Sequence, residues 1–178
     1  MIELGAIERD DLGRLRDWRN DLLKTGVLRQ RHPICMADQD RWFEDVVLLR
    51  REHIMLTVVN VNTSLDNDDP ERSVIGIVGL TYIDWVRRHA EASIYVASGH
   101  RNNGSGHTAL TLLLDYGFKN LGLHRITAEI YAYNEPSRRL FEQVGFKHEG
   151  VLRDHQFWQG RWHDSHLFGI LDSEWIKP

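Results

Sequence analysis

The sequence predicts an α/β domain built on a central mixed sheet covered by helices, and three observations carry that prediction. Strand-like apolar runs alternate with apolar residues at helical spacing in the order β α α β β β α β α β β. A glycine-containing turn, Arg101-Asn102-Asn103-Gly104-Ser105-Gly106-His107, separates a short alternating run from a long helical one. No linker, internal repeat or low-complexity tract divides the 178 residues, so residues 1–178 are expected to form a single domain.

Ile2 to Glu8 reads as the first strand. Asp10 is placed to cap a helix in which Leu12, Leu15, Trp18 and Leu22 recur on one side. Gly26 to Pro33 reads as a loop, and Asp38 or Ala37 opens a second helix with Trp42, Phe43, Val46 and Val47 as its buried stripe. The nearly continuous apolar run Ile54 to Val61, rich in β-branched residues, suits a strand covered on both faces. Asn62 to Arg72 is polar, contains Asn-Asp-Asp-Pro, and reads as a loop. Ser73 to Asp84 is a long strand containing Gly76 and Gly79, and Arg87-Arg88 turns the chain into a fourth strand, His89 to Ala97.

After the glycine turn, Ala109, Leu110, Leu113, Leu114, Gly117 and Leu121 line one side of a helix that stops near Gly122. His124 to Tyr133 alternates as a strand. Asn134-Glu135-Pro136 starts a short helix, with Leu140, Phe141 and Val144 as its apolar side and Gly145 as its stop. Phe146 to Trp175 reads as two antiparallel strands turning at Gln159-Gly160-Arg161.

Composition narrows the function. A net charge of -4 lacks the basic surface that nucleic-acid binding needs, and no apolar run is long enough to span a bilayer. Neither nucleic acid nor membrane is therefore an expected partner. With Cys35 the only cysteine, an intramolecular disulfide and a multi-cysteine zinc site are excluded, and the expected compartment is the cytoplasm. Among the ten histidines, His163 and His166 sit three apart in a strand, which turns them to opposite faces and argues against a metal site.

The glycine turn is where chemistry is expected. The first N–H groups of a helix lack internal acceptors, and the helix dipole adds positive potential, so phosphate is a natural guest. Gly104 and Gly106 permit close approach or positive φ, and Arg101 can add a charge-assisted contact.

These residues carry a family resemblance. Arg101-x-x-Gly104-x-Gly106, Asn134-x-x-Ser137, Gly145-Phe146 and the run Glu149-Gly150-x-x-Arg153 resemble motifs of the GCN5-related N-acetyltransferase (GNAT) superfamily. The last run, with Asp11-Leu12 and Trp18-Arg19-Asn20, resembles the branch that acetylates ribosomal proteins, polyamines and amino sugars. The resemblance implies a central mixed, mostly antiparallel sheet of about seven strands splayed between strands four and five, flanked by about four helices. It also implies an acetyl-CoA-dependent N-acetyltransferase working by direct attack in a ternary complex, with no metal. The acceptor stays open among an amino sugar or its nucleotide conjugate, a polyamine, an aminoglycoside and a protein N-terminus, and homodimerisation stays open as well.

Residue by residue, the resemblance implies that Asn102, Asn103, Gly104, Ser105, Gly106 and His107 hold the pyrophosphate, with Arg101 beside them. It implies that Ile94, Tyr95 and Val96 pair with the pantetheine arm, Val96 N–H also polarising the acetyl carbonyl, and that Asn134 and Phe141 complete the donor site. Phe141 stands where many members have a tyrosine acid. The resemblance to the ribosomal-protein branch, which gives that task to a serine three residues after the asparagine, implies Ser137 as the acid. Gln156 stands where the ribosomal branch has a glutamate base; Glu91, on strand four with Ser93 and Tyr95 on its face, resembles the glutamate that several other branches use through a water, and the resemblance implies it as the base. Asp84, Asp154 and His155 are reserves, as is a water path with no dedicated base. Arg29, Arg31 and His32 lie in the loop where the family contacts its acceptor, though solvated loop charges would look the same. Trp85 and Trp158, near strand ends, are open to a substrate role. The second reading is an acyl-CoA-binding regulatory or structural module with weak or no catalysis, kept alive by Phe141 and Gln156. A dinucleotide-binding dehydrogenase fits poorly, because no βαβ unit with a ribose-binding acid follows the turn.

Overall fold

The computed structural model describes residues 1–49, 51–62 and 71–175. Seven strands form one sheet in the order β1-β2-β3-β4-β5-β7-β6: β1 (Ile2–Gly5), β2 (Ile54–Asn62), β3 (Glu71–Asp84), β4 (His89–Val96), β5 (Arg125–Tyr131), β6 (Lys147–Trp158) and β7 (Arg161–Leu171). The helices are α1 (Leu12–Leu23), α2 (Met36–Trp42), α3 (Ser105–Asp115) and α4 (Glu135–Val144). Both α2 and α3 run on into wider π-type turns, Phe43–Leu48 and Tyr116–Asn120. Most of the predicted polar loop Asn62 to Arg72 lies outside the described residues, and its ends belong to β2 and β3.

The first helix begins differently from the expectation. A 3-10 turn, Arg9–Asp11, precedes α1, and its cap is Glu8, not Asp10; the Asp11 carboxylate accepts the Glu8 N–H at 3.0 Å. The second helix is capped in the same way, Cys35 N–H donating to Asp38 at 2.9 Å, which starts it at Met36, one residue before Ala37 and two before Asp38, the predicted openers. The β6–β7 turn places Gln159 at φ 49° and Gly160 at φ 78°, the two consecutive positive angles of a tight hairpin.

Alternation along the strands divides the core between two faces. Ile54, Val58, Val78, Ala90, Ala92, Ile126 and Phe168 meet Leu110, Leu113 and Leu114 of α3 and Phe141 and Val144 of α4. Met55 and Ile77, one position out of step, face Leu12, Leu15, Phe43 and Val47 of the α1/α2 layer. The sheet is thus covered by α3 and α4 on one side and by α1 and α2 on the other.

All neighbouring strands are antiparallel except β4 and β5, and that parallel pairing is brief. It covers His89–Glu91 against Arg125–Thr127. Beyond it β4 stays with β3 as far as Val96 opposite Gly76, while β5 stays with β7 as far as Tyr131 opposite Ser165. Each strand keeps its outer partner, so the sheet opens between them.

Phe168, in the middle of β7 and 1 % exposed, packs the core on the α3/α4 side. Phe168→Ala should lower the unfolding free energy by about 3–5 kcal/mol, measured by urea denaturation, with the m-value retained.

Candidate functional site

The split has a strand edge along one side. Ala97 N–H donates to Ile75 O at 2.8 Å, so β4 turns the peptide groups of its odd-numbered residues to β3. Antiparallel alternation then directs those of Ala92, Ile94 and Val96 away from β3, into the split. Of the residues expected to pair with the pantetheine arm, Ile94 and Val96 present main-chain groups there. Tyr95 does not; its ring packs on Trp18, 5.3 Å between centroids, and under the Arg101 guanidinium at 5.4 Å.

The glycine turn closes the far end of this edge. Asn102 sits at φ 61° and Gly104 at φ 86°, the second being the N-cap of α3. Asn103 Oδ1 accepts the N–H of Ser105 at 3.1 Å, and the first main-chain bond within the helix runs from Thr108 N–H to Gly104 O. Gly104 has no side chain with which to cap, so the N–H groups of Gly106 and His107 have no acceptor among the described residues. A Cβ at Gly106 would lie 3.5 Å from Leu140 and 3.8 Å from Val96, ordinary contact distances. Packing alone therefore tolerates a side chain at this position. Arg101 Nε donates to Val96 O at 2.7 Å, which ties the turn to the end of β4 and points Arg101 along the strand edge.

On the other flank, α4 begins directly after β5. Asn134 N–H donates to Tyr131 O at 2.8 Å, and its side chain makes no capping bond. Ser137 is half-buried in the first turn of α4, its hydroxyl without a hydrogen-bond partner among the described residues. Phe141, expected beside the donor, is instead a core residue. It is 2 % exposed with its ring edge-on to Phe146, centroids 4.9 Å apart, because its place on the apolar side of α4 turns it into the sheet.

Glu91 is the last β4 residue paired with β5, and its side chain shares a face with Tyr95, toward α1. Arg29, from the loop between α1 and α2, reaches it. The Arg29 guanidinium lies 2.8 Å from Glu91 Oε1 and 3.1 Å from Glu129 Oε2 on β5, bridging the strands where they part. It also lies 5.7 Å from the Tyr82 ring centre. Burial works against the Arg29 charge, but its hydrogen bonds and ion pairs with the two carboxylates outweigh that and raise its affinity for the proton.

Glu129 is the deeper carboxylate, its side chain 15 % exposed, with Oε1 at 3.0 Å from His155 Nδ1. His155 Nδ1 is also 3.0 Å from Ser165 Oγ. Burial pushes the Glu129 carboxyl up, but the Ser165 hydrogen bond and the Arg29 charge together hold it below the usual carboxylate range. Arg29, Glu129, His155 and Ser165 form this cluster, and of the four only Arg29 and His155 drew notice from sequence. Glu129 was legible as one of the outward residues Thr127, Glu129, Tyr131 and Tyr133 of an alternating strand; its partners lie 100 residues away at Arg29 and on two other strands.

The loop carrying Arg29 is pinned. Gly26, at φ 69°, lies against Trp158 so closely that a Cβ would come within 2.3 Å of the indole, and Gly26 O accepts the Tyr133 hydroxyl at 2.6 Å. Arg31 stacks over the same indole at 5.8 Å. Trp158 thus clamps the loop. Trp85 is at the β3–β4 tip, its indole N–H on Arg51 O at 2.7 Å. Asp84 accepts Arg87 N–H at 2.8 Å and Val86 N–H at 3.0 Å, and these bonds, opposed only by slight burial, hold its carboxyl below its ordinary range; it shapes the β3–β4 turn. Asp154 lies in a β6 irregularity at φ 49°, its N–H on Asp164. His163 touches Tyr133 and His166 touches His148, so the two histidines have separate surroundings.

Residues 2–147 match the family model described as an acetyltransferase (GNAT) domain. The spermidine N(1)-acetyltransferase of Vibrio cholerae serotype O1 is 29 % identical over 176 residues, covering 99 % of this chain and 96 % of that protein. A putative ribosomal N-acetyltransferase of Bacillus subtilis, YdaF, is 33 % identical over 103 residues, 58 % of this chain and 56 % of that protein. Among solved structures, spermidine N-acetyltransferase from Vibrio cholerae in complex with CoA and spermine superposes with a TM-score of 0.84 at 25 % identity, covering 97 % of this chain and 96 % of that one. A dodecameric form of the same enzyme in an intermediate state gives a TM-score of 0.77 at 26 % identity, with 98 % and 96 % covered. The motifs around Gly104, Asn134 and Gly145, the sheet parted between β4 and β5, and the match over residues 2–147 agree: this chain belongs to the GNAT acetyltransferase family and is an N-acetyltransferase.

Proposed function

We propose that the protein transfers the acetyl group of acetyl-CoA to a primary amine of a polyamine, in a ternary complex formed across the β4–β5 split. The observation that carries the reading is the paired character of that split. A strand edge with a phosphate-type turn at its end faces one way, and two carboxylates at the apex face the loop between α1 and α2. The likeness to a spermidine N-acetyltransferase along almost the whole chain supports a cationic acceptor.

The donor's pyrophosphate rests on the N–H groups of Gly106 and His107, where the helix dipole favours it, within a turn made by Asn102, Asn103, Gly104 and Ser105. Its pantetheine arm adds to β4 along Ile94 and Val96 as an extra strand would. Val96 N–H polarises the acetyl carbonyl. Arg101, tied to Val96 O, aligns the turn with the strand, and Asn134 lines the opposite flank.

In the reaction, the neutral amine nitrogen attacks the carbonyl carbon, a C–N bond forms and the C–S bond breaks. The departing thiolate takes a proton from the Ser137 hydroxyl. The nitrogen loses a proton through water to Glu91, and Ser137 is reprotonated from solvent. The products are the N-acetylated amine and CoA. Glu129, kept ionised by its surroundings, holds a second ammonium of the same acceptor. A polyamine fits because it supplies both a nucleophile and a separate cation. Aminoglycosides and amino sugars do not present both on one slender chain. The protein acts in the cytoplasm, where acetyl-CoA is available.

Thiol release with acetyl-CoA and spermidine is the direct test. Turnover is expected, and Ser137→Ala should lower kcat by about 10²-fold with little change in KM for acetyl-CoA. No turnover with spermidine, spermine or putrescine would reject the polyamine reading, and an unaltered kcat in the variant would remove Ser137 from the mechanism. Gly104→Val places a β-branched residue at φ 86° where nothing within 4 Å would clash, so the penalty is backbone strain of about 1–3 kcal/mol confined to the turn. Calorimetry should find acetyl-CoA bound about tenfold or more weakly, with the circular dichroism spectrum preserved. The Glu129 carboxyl lies below its ordinary 4.5, so its ion pairs stabilise the fold fully above that pH and are lost as pH falls through the lowered folded value. Glu129→Gln should flatten the acid side of the denaturation-midpoint profile and leave its neutral side unchanged in slope.

A further inference from the structure

Arg29 occupies the place that the proposed acceptor needs. Its guanidinium is within 3.1 Å of both Glu91 and Glu129, and it reaches them from a loop, not from the sheet. The loop is anchored on either side of it, through Gly26 to Trp158 and Tyr133 and through Arg31 to Trp158. The anchors fix the loop's base and leave Arg29 as the side chain that spans to the split. Gln30, its neighbour, is held separately, accepting from Arg19 at 2.6 Å and donating to His32 O at 2.6 Å. Arg29 is itself about half exposed, its side chain at 45 %, and the exposed Tyr82 ring lies 5.7 Å away. Withdrawal into solvent therefore requires a change of rotamer and the breaking of two ion pairs, with no rebuilding of the loop.

We propose that Arg29 is a tethered competitor of the acceptor: it neutralises Glu91 and Glu129 in the resting protein and is displaced when a polyamine brings its own cation to Glu129 and its reacting amine to Glu91. This inference rests on the polyamine reading above. The physical reason is charge replacement. An ammonium entering beside a guanidinium that already satisfies both carboxylates meets like charge, whereas one that takes the guanidinium's place exchanges one ion pair for another. Glu91 becomes free to accept the reaction's proton only in that second state. The side chain of Arg29 thereby sets the apparent affinity for polycations without touching the donor site on the opposite face of the sheet.

The experiment compares spermidine on the wild type, Arg29→Gln and Arg29→Lys, by calorimetry in the presence of CoA and by thiol-release kinetics. Arg29→Gln removes the competing cation and should lower both Kd and KM for spermidine about five- to tenfold, with KM for acetyl-CoA unchanged. Arg29→Lys keeps a tethered cation and should stay within about threefold of the wild type. If Arg29 served only to brace the site, Arg29→Gln would raise KM for spermidine and the lysine variant would restore it. That pattern, or equal affinity in all three proteins, overturns the proposal. Wild-type turnover without the predicted ordering leaves the polyamine reading standing and rejects the role of Arg29. Spermidine binding by none of the three proteins rejects both.

Discussion

The parting of two parallel strands is the constraint on which the rest of this structure depends. β4 and β5 share three residue pairs and then follow different neighbours, β3 on one side and β7 on the other. Main-chain groups inside a sheet normally find partners across it, and those of Ile94 and Val96 have none on the strand that should supply them. A sheet tolerates such an edge in its interior where something else pairs with it. In the proposed complex an extended acyl-donor arm takes that place, and its phosphates meet the free N–H groups of the turn at the end of β4.

The same parting produces the electrostatics at the apex. While β4 and β5 are paired, side chains from adjacent positions stand close, and Glu91 and Glu129 emerge on one face just as the strands begin to diverge. Two carboxylates so placed repel one another unless a cation lies between them. Arg29 supplies that cation, held by a loop whose conformation depends on Gly26 fitting beneath Trp158. In the proposed complex, donor and acceptor therefore lie on opposite faces of one gap. The α3/α4 face carries the phosphate turn and Ser137. The α1/α2 face carries the charge cluster.

Much of this was legible in the residues. All eleven main elements follow from apolar period and punctuation, and their bounds shift at the ends: the first strand stops at Gly5 and not Glu8, the fifth spans Arg125–Tyr131, and α1 and α2 start where Asp11 and Asp38 accept backbone N–H groups three residues back, at Glu8 and Cys35. The glycine turn was legible because it is made of consecutive residues whose types answer its backbone angles. At Phe141 motif and packing diverge. Its motif position pointed to the ligand, yet the hydrophobic side of α4 turns it to Phe146, and an aromatic ring without a polar atom gains most from burial.

By itself the sequence determined the order of elements, the two glycine-dependent stops and starts that frame α3 and α4, and the family to which those spacings belong. These are properties of neighbours in the chain, set by backbone angles, capping and periodicity. Only the tertiary structure decided which of the many charged residues meet. Arg29, Glu91, Glu129, His155 and Ser165 come from a loop and four different strands, and no local rule relates them. Their meeting depends on where the sheet opens and on how a loop is clamped at Gly26, and both are settled by packing between segments far apart in the chain.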